Sequence, residues 1–258
     1  MTDETDADLR RAAALVGGAP RITVLTGAGI STDSGIPDFR GPDGVWTRDP
    51  SAQRRATLST YVADPEVRRA AWANRRNNPA WAAEPNTAHH ALVEVERSGR
   101  LRAIVTQNID GLHQRAGSDP ALVVELHGTV REVACLSCGD RAPMTAAIAR
   151  VDAGEPDPLC LRCGGLLKSA TISFGQRLDE EVFRSAADAA SECDVFLAVG
   201  SSLSVQPAAG LTRVAARAGA RVVIVNATPT AYDGLADAVV RVPIGAALPA
   251  LATAVRGH

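Results

Sequence analysis

Apolar residues in this chain gather into short runs, and each run ends in a cluster of small and polar residues. Ile22 to Leu25 closes at Thr26 and breaks into Gly27-Ala28-Gly29. Leu101 to Thr106 opens into Gln107-Asn108-Ile109-Asp110-Gly111, and Val123 to Leu126 into His127-Gly128. Val195 to Val199 opens into Gly200-Ser201-Ser202, and Val222 to Val225 into Asn226-Ala227-Thr228. Continuous apolar runs of this length, bounded by turn formers, predict strands buried on both faces. Helical spacing over Ala7 to Val16 precedes the first strand, and helical stretches over roughly 87–98, 179–191 and 207–218 supply crossovers, so the pattern predicts a parallel α/β sheet. Ligands bind beyond the carboxyl ends of such strands. The five polar clusters should therefore face one crevice.

The glycine turn after the first strand suits an anion. Gly27 and Gly29 have no Cβ, so the backbone there can approach a pyrophosphate, and a helix starting near Ile30 would aim free N–H groups at it. Gly27-x-Gly29 lacks the third glycine of the dinucleotide fingerprint, so a bare turn remains open at this point. Pro37-Asp38-Phe39-Arg40-Gly41 carries turn chemistry with an acid, an aromatic and a guanidinium, the makeup of a binding loop. Residues 42–84 hold Trp46, Trp72 and Trp81 and prolines at 50, 65 and 79, which predicts short helices inserted over the glycine loop. Thr87 is expected to cap the next helix, with His89 and His90 in packing or capping roles.

Cys135-x-x-Cys138 and Cys160-x-x-Cys163 form two knuckles, each followed by glycine. Such a pair turns four thiolates toward one point and predicts a single structural Zn²⁺, closed because all four positions are sulfur. Disulfides would require an oxidising compartment. Cys193, just before a strand, reads as a small buried residue. Among the histidines, His127 stands at a strand's carboxyl end with Gly128 beside it, where a neutral imidazole can take a proton; it is the expected general base.

Composition narrows the class. A net charge of −2 gives no global basic field for nucleic acid or an anionic membrane, and Lys168 is the sole lysine. The acidic start MTDETDADLRR does not read as a signal peptide, and no apolar stretch nears the roughly 20 residues of a membrane helix. A cytoplasmic monomer without nucleic-acid or membrane partners is expected.

GAGISTDSGIPDFRG, TQNIDGLH, the HG at 127–128, the two CxxC pairs, FG at 174–175, GSSL at 200–203 and VN at 225–226 stand in the order found in sirtuins. The chain resembles those NAD-dependent protein-lysine deacylases from about residue 9 to 255. The resemblance implies a Rossmann-type NAD-binding domain (1–41, 85–130 and 169–258), a helical insertion with the cofactor loop (42–84) and a zinc-ribbon module (131–168). It implies NAD contacts from Ala28, Thr32 and Arg40, with Asp38, Phe39 and Arg40 in a flexible loop. Gln107, Asn108, Ile109 and Asp110 would line the ribose and nicotinamide pocket, and Gly200, Ser201, Ser202 and Asn226 the phosphate and adenosine side. Asn108 and Asp110 would share catalysis with His127. Ile172, Phe174, Gly175 and Val205 would pair with the backbone of an acetyl-lysine peptide as strands. The chain departs from the family at Phe174-Gly175-Gln176, at Lys168-Ser169-Ala170 and at Gly200-Ser201-Ser202. Members that remove succinyl or malonyl groups carry Tyr-x-x-Arg; Trp72-x-x-Arg75 stands here, so deacetylation is expected over desuccinylation.

Two other classes fit less well. A dehydrogenase would place an acid about 20 residues beyond the glycine turn, after a second strand. A zinc-ribbon binding protein would not need Asn108, Asp110 and His127 together.

Overall fold

The structure, a computed structural model, describes residues 3–41, 44–49 and 56–257. Parts of the expected insertion (42–43 and 50–55) and His258 lie outside the described residues. The strands in chain order are β1 (Ile22–Thr26), β2 (Leu101–Thr106), β3 (Val123–Glu125), β4 (Gly128–Cys135), β5 (Arg141–Pro143), β6 (Leu167–Thr171), β7 (Val195–Val199), β8 (Arg221–Val225) and β9 (Ala238–Val240). Six of them form one parallel sheet in the order β3-β2-β1-β7-β8-β9. The five expected strands are present. The three-residue edge strand β9 carries too short an apolar signal to be read from the sequence.

The central strands are mostly apolar because both faces of the sheet are covered. Ile22 and Val24 of β1, with Val195, Leu197 and Val199 of β7, pack on helices 3–17, 87–97 and 244–256 through Val16, Leu92 and Leu251. Leu25, Phe196, Ala198, Val222 and Ile224 face the other way, onto Ala186 and Ala190 of helix 180–191 and Ala215 of helix 211–217. Alternate residues point to opposite faces of a strand, so each run feeds two cores.

Strand order reverses between β1 and β7, and their carboxyl ends open the crevice. Gly29 donates its N–H to the Gly200 carbonyl at 2.9 Å. A Cβ on Gly29 would lie 2.8 Å from the Gly200 Cα, so the two loops can meet only as glycine. The expected helix after the turn is a 3₁₀ helix, Ala28–Ser34, which starts two residues before Ile30. Helix 87–97 is capped by Asn86 and not by Thr87: the Asn86 side chain accepts from Ala88 and His89, and the His89 ring accepts from the Asn86 N–H. Both residues can cap, and Asn86 is one position earlier.

β5, β4 and β6 form a small antiparallel sheet. Its core joins Val133, Cys135, Cys160 and Leu167 to Met144 of helix 144–152 and to Trp72 of helix 65–76. Asp64 starts that last helix by accepting from the Glu66 and Val67 N–H groups, with Pro65 in the first turn. The Tyr61 hydroxyl donates to the Leu167 carbonyl at 2.6 Å and Arg68 pairs with Asp157 at 2.8 Å, tying inserted helices to ribbon.

Candidate active site

The carboxyl ends of the parallel strands, the 3₁₀ segment and the small module enclose a cleft of about 1660 Å³. All the residues expected to touch NAD line it, from Gly27, Ala28, Gly29 and Thr32 through Asp38, Phe39 and Arg40 to Gly200, Ser201, Ser202 and Asn226. Gln107, Asn108, Ile109, Asp110 and His127 line it as well, as do Ile172, Phe174, Gly175, Val205 and Arg75.

Trp72 does not. It has no exposed surface and belongs to the core of the small module, so the expected substrate contact is corrected to a supporting one: its ring lies 4.5 Å from the Arg75 guanidinium carbon. The hydroxyl beside Arg75 comes instead from Tyr61, to which Arg75 Nη1 donates at 3.2 Å. Phe174 needs a second correction. Its N–H donates to Ala56 O and its carbonyl accepts from Leu58 N–H, so its backbone is already paired and is not free to take a peptide strand.

One contact fixes the tautomer of His127. Its Nδ1 lies 2.9 Å from the Gln107 carbonyl oxygen, and a carbonyl only accepts, so Nδ1 carries the proton and Nε2 keeps its lone pair. Burial pushes the imidazole pKa below its usual value, outweighing the carbonyl, and the ring is neutral at pH 7. Gly128 makes this position possible. Its φ is +71°, and a Cβ there would lie 2.0 Å from the Ala170 carbonyl oxygen where β4 meets β6.

Asn108 and Asp110 are joined through Ser31, a residue the sequence did not single out. Asn108 Nδ2 donates to Gly27 O at 3.1 Å and to Ser31 Oγ at 3.2 Å, and Ser31 Oγ donates to Asp110 Oδ2 at 2.8 Å. Asp110 Oδ1 accepts the Leu112 N–H at 2.9 Å. With both amide protons used, the Asn108 carbonyl oxygen is the group left for a ligand. No sequence signal marked Ser31, because its partners Asn108 and Asp110 come from the loop after β2. On the other flank, Gln107 Nε2 donates to Ser201 Oγ at 2.9 Å, and Arg241 Nη1 donates to the Asn226 carbonyl at 2.7 Å.

The Phe39 and Trp46 rings lie 4.8 Å apart and tilted, the Trp46 and Phe174 rings 5.3 Å apart and tilted, and the Arg40 guanidinium lies 4.4 Å above the Trp46 ring. This cluster forms an apolar wall for the cleft. Lys168 sits deep in it, donating to the Ser169 and Thr171 carbonyls, with its pKa pushed down to about 8 by burial and by Arg75.

The four knuckle cysteines are free thiols whose sulfurs all lie within 4.8 Å of one another. Cys135 and Cys163 are 3.5 Å apart, Cys138 and Cys160 3.8 Å. Zn–S bonds of 2.3 Å in a tetrahedron set sulfur edges of about 3.8 Å, so the donor set fits one Zn²⁺. Among the described residues no helix is long and apolar enough to cross a membrane.

The Sir2 family model matches residues 27–207. NAD-dependent protein deacetylase 2 of Streptomyces coelicolor is 56% identical over 234 residues, 91% of this chain and 97% of that protein. NAD-dependent protein deacetylase 1 of Bradyrhizobium diazoefficiens is 43% identical over 91% of each chain. Among solved structures, one described as giving the structural basis for the mechanism and regulation of Sir2 enzymes superposes with a TM-score of 0.87 at 38% identity, covering 98% of this chain and 99% of that one. A Sir2 protein bound to acetylated peptide superposes with a TM-score of 0.83 at 33% identity, over 93% and 95%.

Proposed function

This chain belongs to the Sir2 family, and from that premise we propose that it is an NAD-dependent protein-lysine deacetylase that moves the acetyl group from lysine to ADP-ribose with release of nicotinamide. The observation that carries the reading is the meeting, in one cleft, of the neutral His127 base with the Gly27, Asn108 and Asp110 constellation. NAD supplies the ribose carbon that the acyl oxygen attacks and the hydroxyl that receives the acyl group.

The residues have separate tasks. Gly27, Ala28, Gly29 and Ser201 give the pyrophosphate a close backbone approach at the β1/β7 switch point. Thr32, Ile109 and Arg40 hold the nicotinamide side, Asp38 fixes the loop by accepting the Gly41 N–H at 2.8 Å, and Ser202 and Asn226 hold the adenosine side. Asn108 offers its carbonyl oxygen to the ribose, held in place by Gly27 and Ser31, and Asp110 anchors Ser31. His127 Nε2 takes the proton of the ribose hydroxyl as that oxygen attacks the acyl carbon. Phe39, against Trp46, keeps water from the reacting face. Ile172, Gly175 and Val205 present the peptide. The sheet domain (1–41, 85–130, 169–258) holds NAD, and the module of 42–84 and 131–168 closes over it; a cytoplasmic monomer suffices. Zn²⁺ would be held by Cys135, Cys138, Cys160 and Cys163 away from the reacting atoms and shape the ribbon.

A second reading, removal of an acidic acyl group, draws on Tyr61 and Arg75, which offer a hydroxyl and a guanidinium inside the cleft. Mass spectrometry with NAD and paired acetyl-lysine and succinyl-lysine peptides tests both. Acetyl loss with stoichiometric nicotinamide and acetyl-ADP-ribose, abolished in His127→Ala, supports deacetylation; ADP-ribose transferred to protein, with the peptides intact, overturns it.

A further inference from the structure

Behind Asn108 lie two histidines that face no ligand. His89 has no exposed surface and His113 is 2% exposed, and their rings are 5.1 Å apart. Each has one bonded ring nitrogen and one buried nitrogen without a partner. His89 Nδ1 accepts the Asn86 N–H at 3.3 Å, and His113 Nε2 lies 2.9 Å from Thr26 Oγ1. The two without partners are His89 Nε2 and His113 Nδ1.

The tautomers follow from those partners. A backbone N–H only donates, so His89 Nδ1 holds a lone pair and its ring proton sits on Nε2. Thr26 gives its one hydroxyl proton to Thr106 Oγ1 at 2.8 Å, so the proton between Thr26 and His113 comes from the imidazole Nε2. His113 Nδ1 is then an acceptor. The two unpaired nitrogens are thus a donor on His89 and an acceptor on His113. Burial keeps both rings neutral.

From this arrangement we infer that His113, held in its Nε2–H tautomer by Thr26, is a positioning residue for Asn108. The line of bonds runs from His113 through Thr26 to Thr106 Oγ1, which accepts the Asn108 backbone N–H at 3.0 Å. That bond fixes how the chain leaves β2, and hence where the Asn108 amide meets Gly27 O and Ser31 Oγ. Asn86 ties the same block to the cofactor segment, its Nδ2 donating to Ile30 O at 2.8 Å and Ser34 Oγ at 3.0 Å. The inference rests on reading the cleft as the NAD and acyl-lysine site.

Nitrogen-15 NMR of the histidine rings in the full-length protein, assigned with His113→Gln, reads the tautomer without any turnover. A single ring proton on His113 Nε2 from pH 6 to 8 is expected; an Nδ1–H tautomer or an imidazolium overturns the inference. Kinetics supply the functional half. Gln places an N–H near the Nε2 position, so His113→Gln should keep kcat within about threefold, whereas His113→Leu should lose about tenfold or more in kcat with KM for NAD and peptide within about twofold. Equal kcat values in the two folded variants would overturn the positioning role. A wild-type protein with no NAD-dependent deacylation would instead remove the reading of the cleft, with the NMR result still standing.

Discussion

The Arg75 guanidinium carbon lies 4.5 Å from the centre of the Trp72 ring, and Trp72 has no exposed surface. The two residues therefore divide into a support and a contact, although their spacing suggested a pair reaching for the acyl group. Trp72→Ala should destabilise the protein by about 3–5 kcal/mol through the cavity it leaves. Trp72→Phe should fold and keep the peptide KM near wild type; a Phe variant with wild-type stability and a raised peptide KM would return Trp72 to the substrate pocket.

If the cleft takes an acyl-lysine, Arg75 and Tyr61 are the groups able to tell a neutral acyl group from an acidic one. Arg75 donates to the Tyr61 hydroxyl and stands near Lys168, and each of the three lines the cleft. Arg75→Met should lower kcat/KM for a succinyl-lysine peptide by about tenfold relative to the acetyl peptide, since a charge-assisted bond to the acyl carboxylate is lost. An unchanged ratio would show that Arg75 does not meet the acyl group.

Zinc removal should act through the fold. Cys135 and Cys160 are core members beside Trp72, Val133 and Met144, so an empty knuckle leaves that core without its cross-link. Chelation or Cys138→Ser should lower the melting temperature, shift tryptophan fluorescence and then reduce turnover. Replacement by Co²⁺ or Cd²⁺ should restore both stability and rate, because no step uses the metal as a Lewis acid. A metal-dependent change in kcat at constant stability would contradict this.

The parallel sheet was legible because strands buried on both faces must be apolar throughout, as Val195 to Val199 is. The zinc ligands were legible because two knuckles of cysteine leave few alternatives. Tyr61 was not, since its place in the cleft depends on a hydrogen bond to Leu167, 106 residues away in sequence. Ser31 was hidden for a related reason: its partners, Asn108 and Asp110, arrive from another strand. Asn86 and Thr87 are both able to cap, and only the chain path into helix 87–97 chooses between them.

Gly128 tests how tightly the base is held. A methyl group there would meet the Ala170 carbonyl oxygen at 2.0 Å in backbone with φ of +71°. Gly128→Ala should cost about 2–4 kcal/mol, combining the left-handed penalty with displaced β4 to β6 contacts. Any folded fraction should bind NAD yet turn over at least tenfold more slowly, because His127 is the neighbour that moves. Wild-type kcat in Gly128→Ala would show that this close approach does not place the base.

Below neutral pH, activity and stability should fall through different histidines. Burial holds the native pKa of His89 at about 4 and that of His113 at about 3, while an unfolded histidine titrates near 6.5. Between those values the unfolded chain binds protons that the native state refuses, so stability falls as pH falls. At 1.36 kcal/mol per unit, each ring should cost about 2 kcal/mol by pH 5. Glu94 and Asp194 enter later: their arginine partners hold both pKa values below the ordinary carboxylate range, and both are only half-buried. The rate follows His127 instead. On the proposed mechanism its neutral form is the base, and burial lowers its pKa, so kcat should be level above pH 7 and drop as pH falls through a value below 6.5. Urea midpoints and kcat/KM, measured from pH 5 to 8, separate the two. His113→Gln should flatten the stability slope and leave the rate inflection in place. A flat urea midpoint between pH 7.5 and 5 would mean that the buried pair is already charged, and an inflection above pH 7 would take the base role from a neutral, desolvated His127.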